Sequence, residues 1–273
     1  MSQQPLRDPS VARTVVITRP KAPSDSWQRA FRGRGFQVQH LPLIEIKGPP
    51  EPRALQNMGS HLDQFQAIMF VSPQAVVQFF QHLELDMSAW RTPCWATGGG
   101  SKAALLEAGI SEPFIWMPQD ESGLWDSEHL WLRVKDTVQA GQKVLIVRGT
   151  DQYASGPGDM DRGVGREFLS QQLNAHGLEV VYVVAYQRLC PVWQEDKRQS
   201  VKEFLKPTHV WVFTSSQAVH NLVAHLKPVD FSNARAIVTH ERIAKALHDV
   251  GFGVVLLSRP DVVDVLRSLE SMP

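Results

Sequence analysis

Two hydroxyls stand where a β-rich run gives way to a helical pattern: Ser72 in AIMFVSPQAVV (67–77) and Ser215 in HVWVFTSSQAV (209–219). A hydroxyl there caps a helix by accepting a bond from the N2 or N3 amide, worth ~1 kcal/mol. The same helix start presents free amides to a carboxylate or phosphate. The two uses are compatible, and their repetition favours neither. Gly98-Gly99-Gly100-Ser101-Lys102 opens another helical pattern. It lacks the Gly-Lys-Ser/Thr ending of a nucleotide loop, yet at Gly99 backbone amides can approach an anion closely. Arg19 in VVITR and Arg148 in VLIVR close two further β-rich runs. Two guanidinium groups facing one ligand suit carboxylates bidentately, although either arginine would serve equally as a surface ion-pair residue. Tyr186 in VVAYQR reads as a half-buried strand tyrosine with its hydroxyl at an edge. His240-Glu241-Arg242 begins a zinc-helix pattern but lacks its second histidine, so no metal site is expected.

The elements that must position these residues repeat along the chain. FVSPQAV (70–76) and FTSSQAV (213–219) agree at five of seven residues. TVVITR (14–19) resembles KVLIVR (143–148), and each precedes a helical stretch, a glycine and a β-rich run: GFQVQHLPLIEI from Gly35 and GLEVVYVVAYQR from Gly177. CWATGGGSKAALLEAGI (94–110) lies opposite AIVTHERIAKALHDVGF (236–252). Each half therefore carries three units in the same order, which reads as an internal duplication. The glycine-rich stretch 151–165 is an insertion in the second half and is expected to be a surface loop. LWDSEHLWL (124–132) is expected to be a helix burying Leu124, Leu130 and Trp131.

Strands alternating with helices of ten to fifteen residues predict βαβ units, an α/β fold and parallel sheets. In such sheets ligands sit at the carboxyl ends of the strands, so all six strand–helix junctions of the repeats should face a ligand side. LPLIEIKGPPEP (41–52) and VVAYQRLCPVW (183–193) are extended runs at matching places in the two halves. If both cross between domains, the first unit of each half packs with the later units of the other. A single cut near 140 is the simpler alternative, and periodicity does not choose between them.

Composition bounds the function. At 273 residues the chain suits two domains of ~100–200 residues. With 43% hydrophobic residues, it has material for real cores. Its 28 basic and 28 acidic residues cancel, leaving no general footprint for nucleic acid or an acidic membrane. Two cysteines cannot build a disulfide framework. No run approaches the ~18–20 apolar residues that span a bilayer, and the first residues hold no apolar signal region. These features predict a soluble, cytoplasmic protein.

Together the quoted segments, with WMPQDESGLWDS (116–127) and GREFLSQQLNAHGLEVVYVVAYQR, resemble the uroporphyrinogen-III synthase family from about residue 13 to residue 268. The resemblance implies two flavodoxin-like domains joined by a two-stranded connector. That favours residues 1–42 with 190–273 as one domain, 50–182 as the other, and 43–49 and 183–189 as connector strands. It implies an enzyme that closes hydroxymethylbilane, a linear tetrapyrrole with eight carboxylates, to uroporphyrinogen III in a cleft between the domains. Water is lost and ring D inverted, through an azafulvene and a spiro intermediate, with neither metal nor organic cofactor. It also implies a monomer and leaves room for transient handover of substrate from hydroxymethylbilane synthase.

Residue by residue, the resemblance makes Tyr186 the candidate acid. It also makes Ser72, Ser101, Thr214, Ser215 and Ser216 cleft hydroxyls; with Arg19, Gly99 and Arg148 from the reading above, and His240, these are the candidate substrate contacts. Ser101 stands where the family more often has threonine. Arg242-Ile243 replaces a common threonine pair, so His240, Glu241 or Arg242 would take over part of that surface. The alternative from a different class is a non-catalytic binder or sensor of an anionic molecule such as a tetrapyrrole.

Overall fold

Runs of β-branched and aliphatic residues without polar alternation are the mark of parallel strands covered on both faces. Eleven segments form strands in the computed structural model, which describes residues 14–20, 26–83, 87–118, 126–151 and 164–272. The central strands with the runs VVI (15–17), AIMF (67–70), VLIV (144–147) and VWVF (210–213) carry this mark. The chain divides into two compact units, residues 1–45 with 190–273 and residues 46–189. It therefore passes from one unit to the other twice.

The first unit holds a five-stranded sheet built from β1 (Thr14–Ile17), β2 (Gln37–His40), β9 (His209–Phe213), β10 (Arg235–Val238) and β11 (Val254–Leu257). Its order is β11-β10-β9-β1-β2, and every neighbouring pair is parallel. Val15, Ile17, Val210, Val212 and Ile237 pack on one face with Phe31 of helix α1 (Ser26–Gly33) and Val265, Leu266 and Leu269 of α10 (Val262–Ser271). Helices α7 (Glu195–Lys202), α8 (Ser216–Leu226) and α9 (Glu241–Asp249) complete the unit. Thr18, just beyond β1, is buried and donates its hydroxyl proton to the Val212 carbonyl at 2.8 Å. That bond ties the end of β1 to β9 across 194 residues of sequence.

The second unit holds β3 (Glu45–Lys47), β4 (Phe65–Phe70), β5 (Cys94–Ala96), β6 (Ile115–Trp116), β7 (Lys143–Asp151) and β8 (Glu179–Leu189), ordered β3-β8-β7-β4-β5-β6. Side chains leave its strands alternately, as a pleat of period two requires. Leu145 and Val147 of β7 join Ile68 and Phe70 of β4 beneath α2 (Pro52–Gly59), α3 (Pro73–Gln81) and α4 (Gly99–Glu107). Val144, Ile146, Ala67 and Met69 face the other way, onto α5 (Ser127–Val134) and α6 (Val164–Ala175).

The two sheets share one order. β2-β1-β9-β10-β11 corresponds, strand for strand, to β8-β7-β4-β5-β6. These are the strands that the sequence pairs as TVVITR with KVLIVR, GFQVQH with GLEVVY, and FTSSQAV with FVSPQAV. The first strand of each half thus lies beside the later strands of the other half.

Two expectations about elements change. β7 does not end at Arg148 but runs on to Asp151, because β8 is long enough to pair with it as far as Asp151↔Arg188. An ion pair from the Arg188 guanidinium to both Asp151 carboxylate oxygens, at 2.7 and 3.0 Å, fastens that end. The helix expected over 124–132 starts only at Ser127, where Asp126 caps it by accepting from the His129 amide at 2.8 Å. It buries Leu130 and Trp131. Leu124 and residues 152–163 of the glycine-rich stretch lie outside the described residues. Among the described residues, no helix is long and apolar enough to cross a membrane.

The two thiols differ sharply. Cys94 lies in β5 with no exposed surface, and burial pushes its thiol up to about 12. Cys190 is half-buried and its thiol is raised less far, also by desolvation. Thiolate is the reactive form, so an aromatic disulfide reagent should label Cys190 in the folded protein and Cys94 only on unfolding. Release of two equivalents at one rate from folded protein would contradict this burial.

Candidate functional site

In the second unit the site begins at the carboxyl end of β4. Ser72 has extended backbone, with φ −164° and ψ 161°, and its Oγ accepts from the Ala75 amide at 3.1 Å. The capping role is therefore real for this serine. The Tyr186 hydroxyl lies 3.1 Å from the same Oγ. Tyr186 is only 3% exposed, and its ring belongs to the core under α3.

The pair has a simple proton count. Ser72 and Tyr186 each carry one O–H, and a single bond joins their oxygens. Ala75 uses a lone pair, not a proton. Whichever hydroxyl donates to the other, one O–H remains uncommitted within the pair. It lies at a strand end and a helix start, where half-buried Ser72 reaches the surface.

β5 brings the glycine-rich turn beside this pair. Gly98 is the N-cap of α4 and Gly99 its first residue, with no acidic side chain in the first turn. A Cβ on Gly100 would lie 3.2 Å from Pro73 Cγ, so the starts of α3 and α4 approach closely there. Ser101 is 5% exposed. Lys102 pairs with Glu112 at 2.6 Å and is thereby held by a carboxylate of its own unit.

Arg148 is not where the sequence suggested. It lies inside β7, not at a strand end, and its guanidinium sits 4.0 Å from the centre of the Tyr182 ring. Arg19 does follow its strand. Its guanidinium lies 4.6 Å from the Trp27 ring centre, and its carbonyl is within 2.9 Å of His40 Nε2. The two arginines are thus not structurally equivalent, because β7 continues past the point where β1 stops.

In the first unit Thr214, Ser215 and Ser216 lie at the carboxyl end of β9. Ser215 is the N-cap of α8 by backbone but makes no side-chain cap bond. The Ser216 Oγ is buried without a hydrogen-bond partner among the described residues. Serines that look alike in sequence therefore differ: Ser72 is used as a cap and Ser215 is not. At the neighbouring end of β10, His240 caps α9, its Nδ1 accepting from the Arg242 amide at 3.0 Å. An open cavity of about 430 Å³ adjoins it, lined by Thr239, His240, Glu241, Leu257, Ser258, Arg259 and Pro260. The sequence reading missed Ser258 and Arg259. The signal was the further junction after VVLL, where a β-rich run meets Ser258-Arg259-Pro260 ahead of α10.

Within each unit, then, the parallel strands gather the candidates at one edge. Ser72, Tyr186, Gly99 and Ser101 gather in the second unit, and Arg19, Thr214, Ser215, Ser216 and His240 in the first. Among the described residues, no three histidine, cysteine or carboxylate side chains are grouped to hold a metal ion.

A family model described as uroporphyrinogen-III synthase HemD matches residues 25–266. The uroporphyrinogen-III synthase of Synechococcus elongatus is 28% identical over 238 residues, covering 85% of this chain and 81% of that protein. That of Escherichia coli strain K12 is 24% identical over 265 residues, covering 94% and 100%. Among solved structures, uroporphyrinogen-III synthetase from Helicobacter pylori superposes with a TM-score of 0.61 at 15% identity. That match covers 96% of this chain and all of the other, and it speaks for the fold.

Proposed function

The chain belongs to the uroporphyrinogen-III synthase family, and on that premise we propose that it cyclises hydroxymethylbilane to uroporphyrinogen III. The match over residues 25–266 carries the reading, and the Ser72–Tyr186 pair supplies a chemistry for it. The substrate's hydroxymethyl group must lose its oxygen as water, so that oxygen must gain a proton as its C–O bond breaks. The uncommitted O–H of the pair is the proposed donor. A pyrrole nitrogen lone pair replaces the broken bond and gives an azafulvene cation. The ring-D carbon then attacks, and a spiro intermediate forms, breaks and recloses with ring D inverted. The proton released on rearomatisation restores the pair.

The substrate supplies most of the electron push, so the remaining task for the protein is to orient a flexible polycarboxylate. Arg19, Gly99, Ser101, Thr214, Ser215, Ser216 and His240 are the proposed contacts; Arg148, turned to the Tyr182 ring, is not among them. The start of α4 offers backbone amides with no acidic side chain in its first turn. The unpartnered Ser216 hydroxyl is a further donor for a ligand oxygen. We take the enzyme to act as a monomer. Because free bilane closes unaided to the uninverted isomer, direct handover from hydroxymethylbilane synthase would protect the yield.

The test is isomer analysis of product from freshly generated hydroxymethylbilane, with and without the protein. A protein-dependent switch from type I to type III supports both cyclisation and inversion. Type I alone, from folded protein that binds tetrapyrrole, overturns the enzymatic reading in favour of a non-catalytic binder.

A further inference from the structure

We infer that Gly149 is a positioning residue, whose missing side chain leaves the space through which the Tyr186 ring reaches Ser72. The strand order places β8, β7 and β4 side by side, so Tyr186 on β8 must cross β7 to meet Ser72 beyond the end of β4. Neighbouring strands lie ~4.8 Å apart, so the ring must pass directly over the intervening strand. The β7 residue at that crossing is Gly149, the register partner of Tyr186. A Cβ built on Gly149 would lie 2.3 Å from Tyr186 Cζ, and 2.6 and 2.7 Å from the two Cε atoms. No side chain other than hydrogen fits beneath the ring in this pose.

A second feature brings the ring to that face. Arg148 pairs with Val184, but Gly149 pairs with Tyr186, so Ala185 is an extra residue in β8. In an unbroken strand, Ala185 and Tyr186 would point to opposite faces. The bulge re-aims the side chain, and both residues join the core under α3. The glycine and the bulge act together: the bulge turns the phenol towards α3, and the glycine lets it lie flat enough to reach Ser72.

The atoms that a Cβ would meet belong to the outer end of a side chain. Gly149→Ala should therefore swing the phenol away and leave the sheet folded. A displacement of about 1 Å at a reacting group can cost on the order of 10²-fold in rate. This inference rests on Tyr186 taking part in the proposed reaction, and its test separates the two ideas.

Gly149→Ala, Tyr186→Phe and the double variant are assayed beside the unaltered protein for kcat and KM of type III formation. Tyrosine-labelled samples give the ring resonances of Tyr186 and Tyr182 by NMR. The expected result has three parts: a ~10²-fold fall in kcat for Gly149→Ala with KM within a few-fold, no further loss in the double variant beyond Tyr186→Phe, and a shift of the Tyr186 resonance with that of Tyr182 retained. Unaltered kcat in Gly149→Ala, or losses that multiply in the double variant, would overturn the positioning role. If the unaltered protein forms no type III product, the proposed reaction fails. An unmoved Tyr186 resonance in Gly149→Ala would still overturn the seating of the ring.

Discussion

Replacing Tyr186 by Phe is expected to lower kcat for type III product by ~10²-fold or more while leaving the protein folded. General acids contribute typically ~10²–10⁴-fold, and this substitution removes one of the two hydroxyls in the Ser72–Tyr186 pair. The Ser72 hydroxyl survives and keeps its cap bond from Ala75. It is left without the partner that orients it, so residual activity above background is expected. The stability cost should be small by comparison. The phenyl ring still fills the core under α3 and over Gly149, and a typical lost hydrogen bond costs ~0.5–1.5 kcal/mol. Steady-state kinetics beside a denaturant titration separates the two effects. Wild-type turnover by the folded variant would remove Tyr186 as the acid, and a fall matched by global unfolding would make its role structural.

The largest effect on stability should come from Phe70→Ala. Phe70 ends β4 with no exposed surface, two residues before Ser72. Its ring meets Phe79 edge-on at 5.4 Å and stacks on Phe80 at 5.7 Å, and Phe80 in turn meets Trp90 at 5.4 Å. Truncating a buried Phe costs ~3–5 kcal/mol, from lost transfer energy and the cavity left behind. Domains hold only ~5–15 kcal/mol in all, so the second unit should unfold at much lower denaturant. The chain has two units and need not unfold in one step, so the transition of residues 46–189 must be followed by itself. Leu132→Ala, at a residue 60% exposed, is the control and should stay within about 0.5 kcal/mol. A loss below 1 kcal/mol at Phe70 would show that this aromatic cluster does not hold α3 to the sheet.

Such effects follow from a pattern largely legible in the chain. The runs VVI, AIMF, VLIV and VWVF are apolar without alternation, and the patterns after them have helical period, so parallel βαβ units could be read directly. The junction residues could be read too: Ser72, Gly99, Ser215 and His240 all lie at or beside helix starts. These are local properties, set by periodicity and by what a helix N-terminus needs. The repeat told which strands correspond, because the same solution is written twice.

Other features are not local and could not be read. β7 runs past Arg148 because β8, some thirty-five residues later, is there to pair with it. Ser72 bonds its helix and Ser215 does not, although both head the same motif. The difference lies in what surrounds each hydroxyl, and for Ser72 that includes a phenol 114 residues away. The cavity beside Arg259 forms where the ends of the paired strands β10 and β11 meet the start of α9.

By itself, then, the sequence determined the α/β class, the repeated units and the helix starts where chemistry could gather. The tertiary structure decided which of those starts acquires a tyrosine hydroxyl. It did so through one extra residue in β8 and one absent side chain in β7. The physical reason is that strand periodicity is a property of neighbours in sequence, whereas register and bulges are settled only when two distant strands exchange hydrogen bonds.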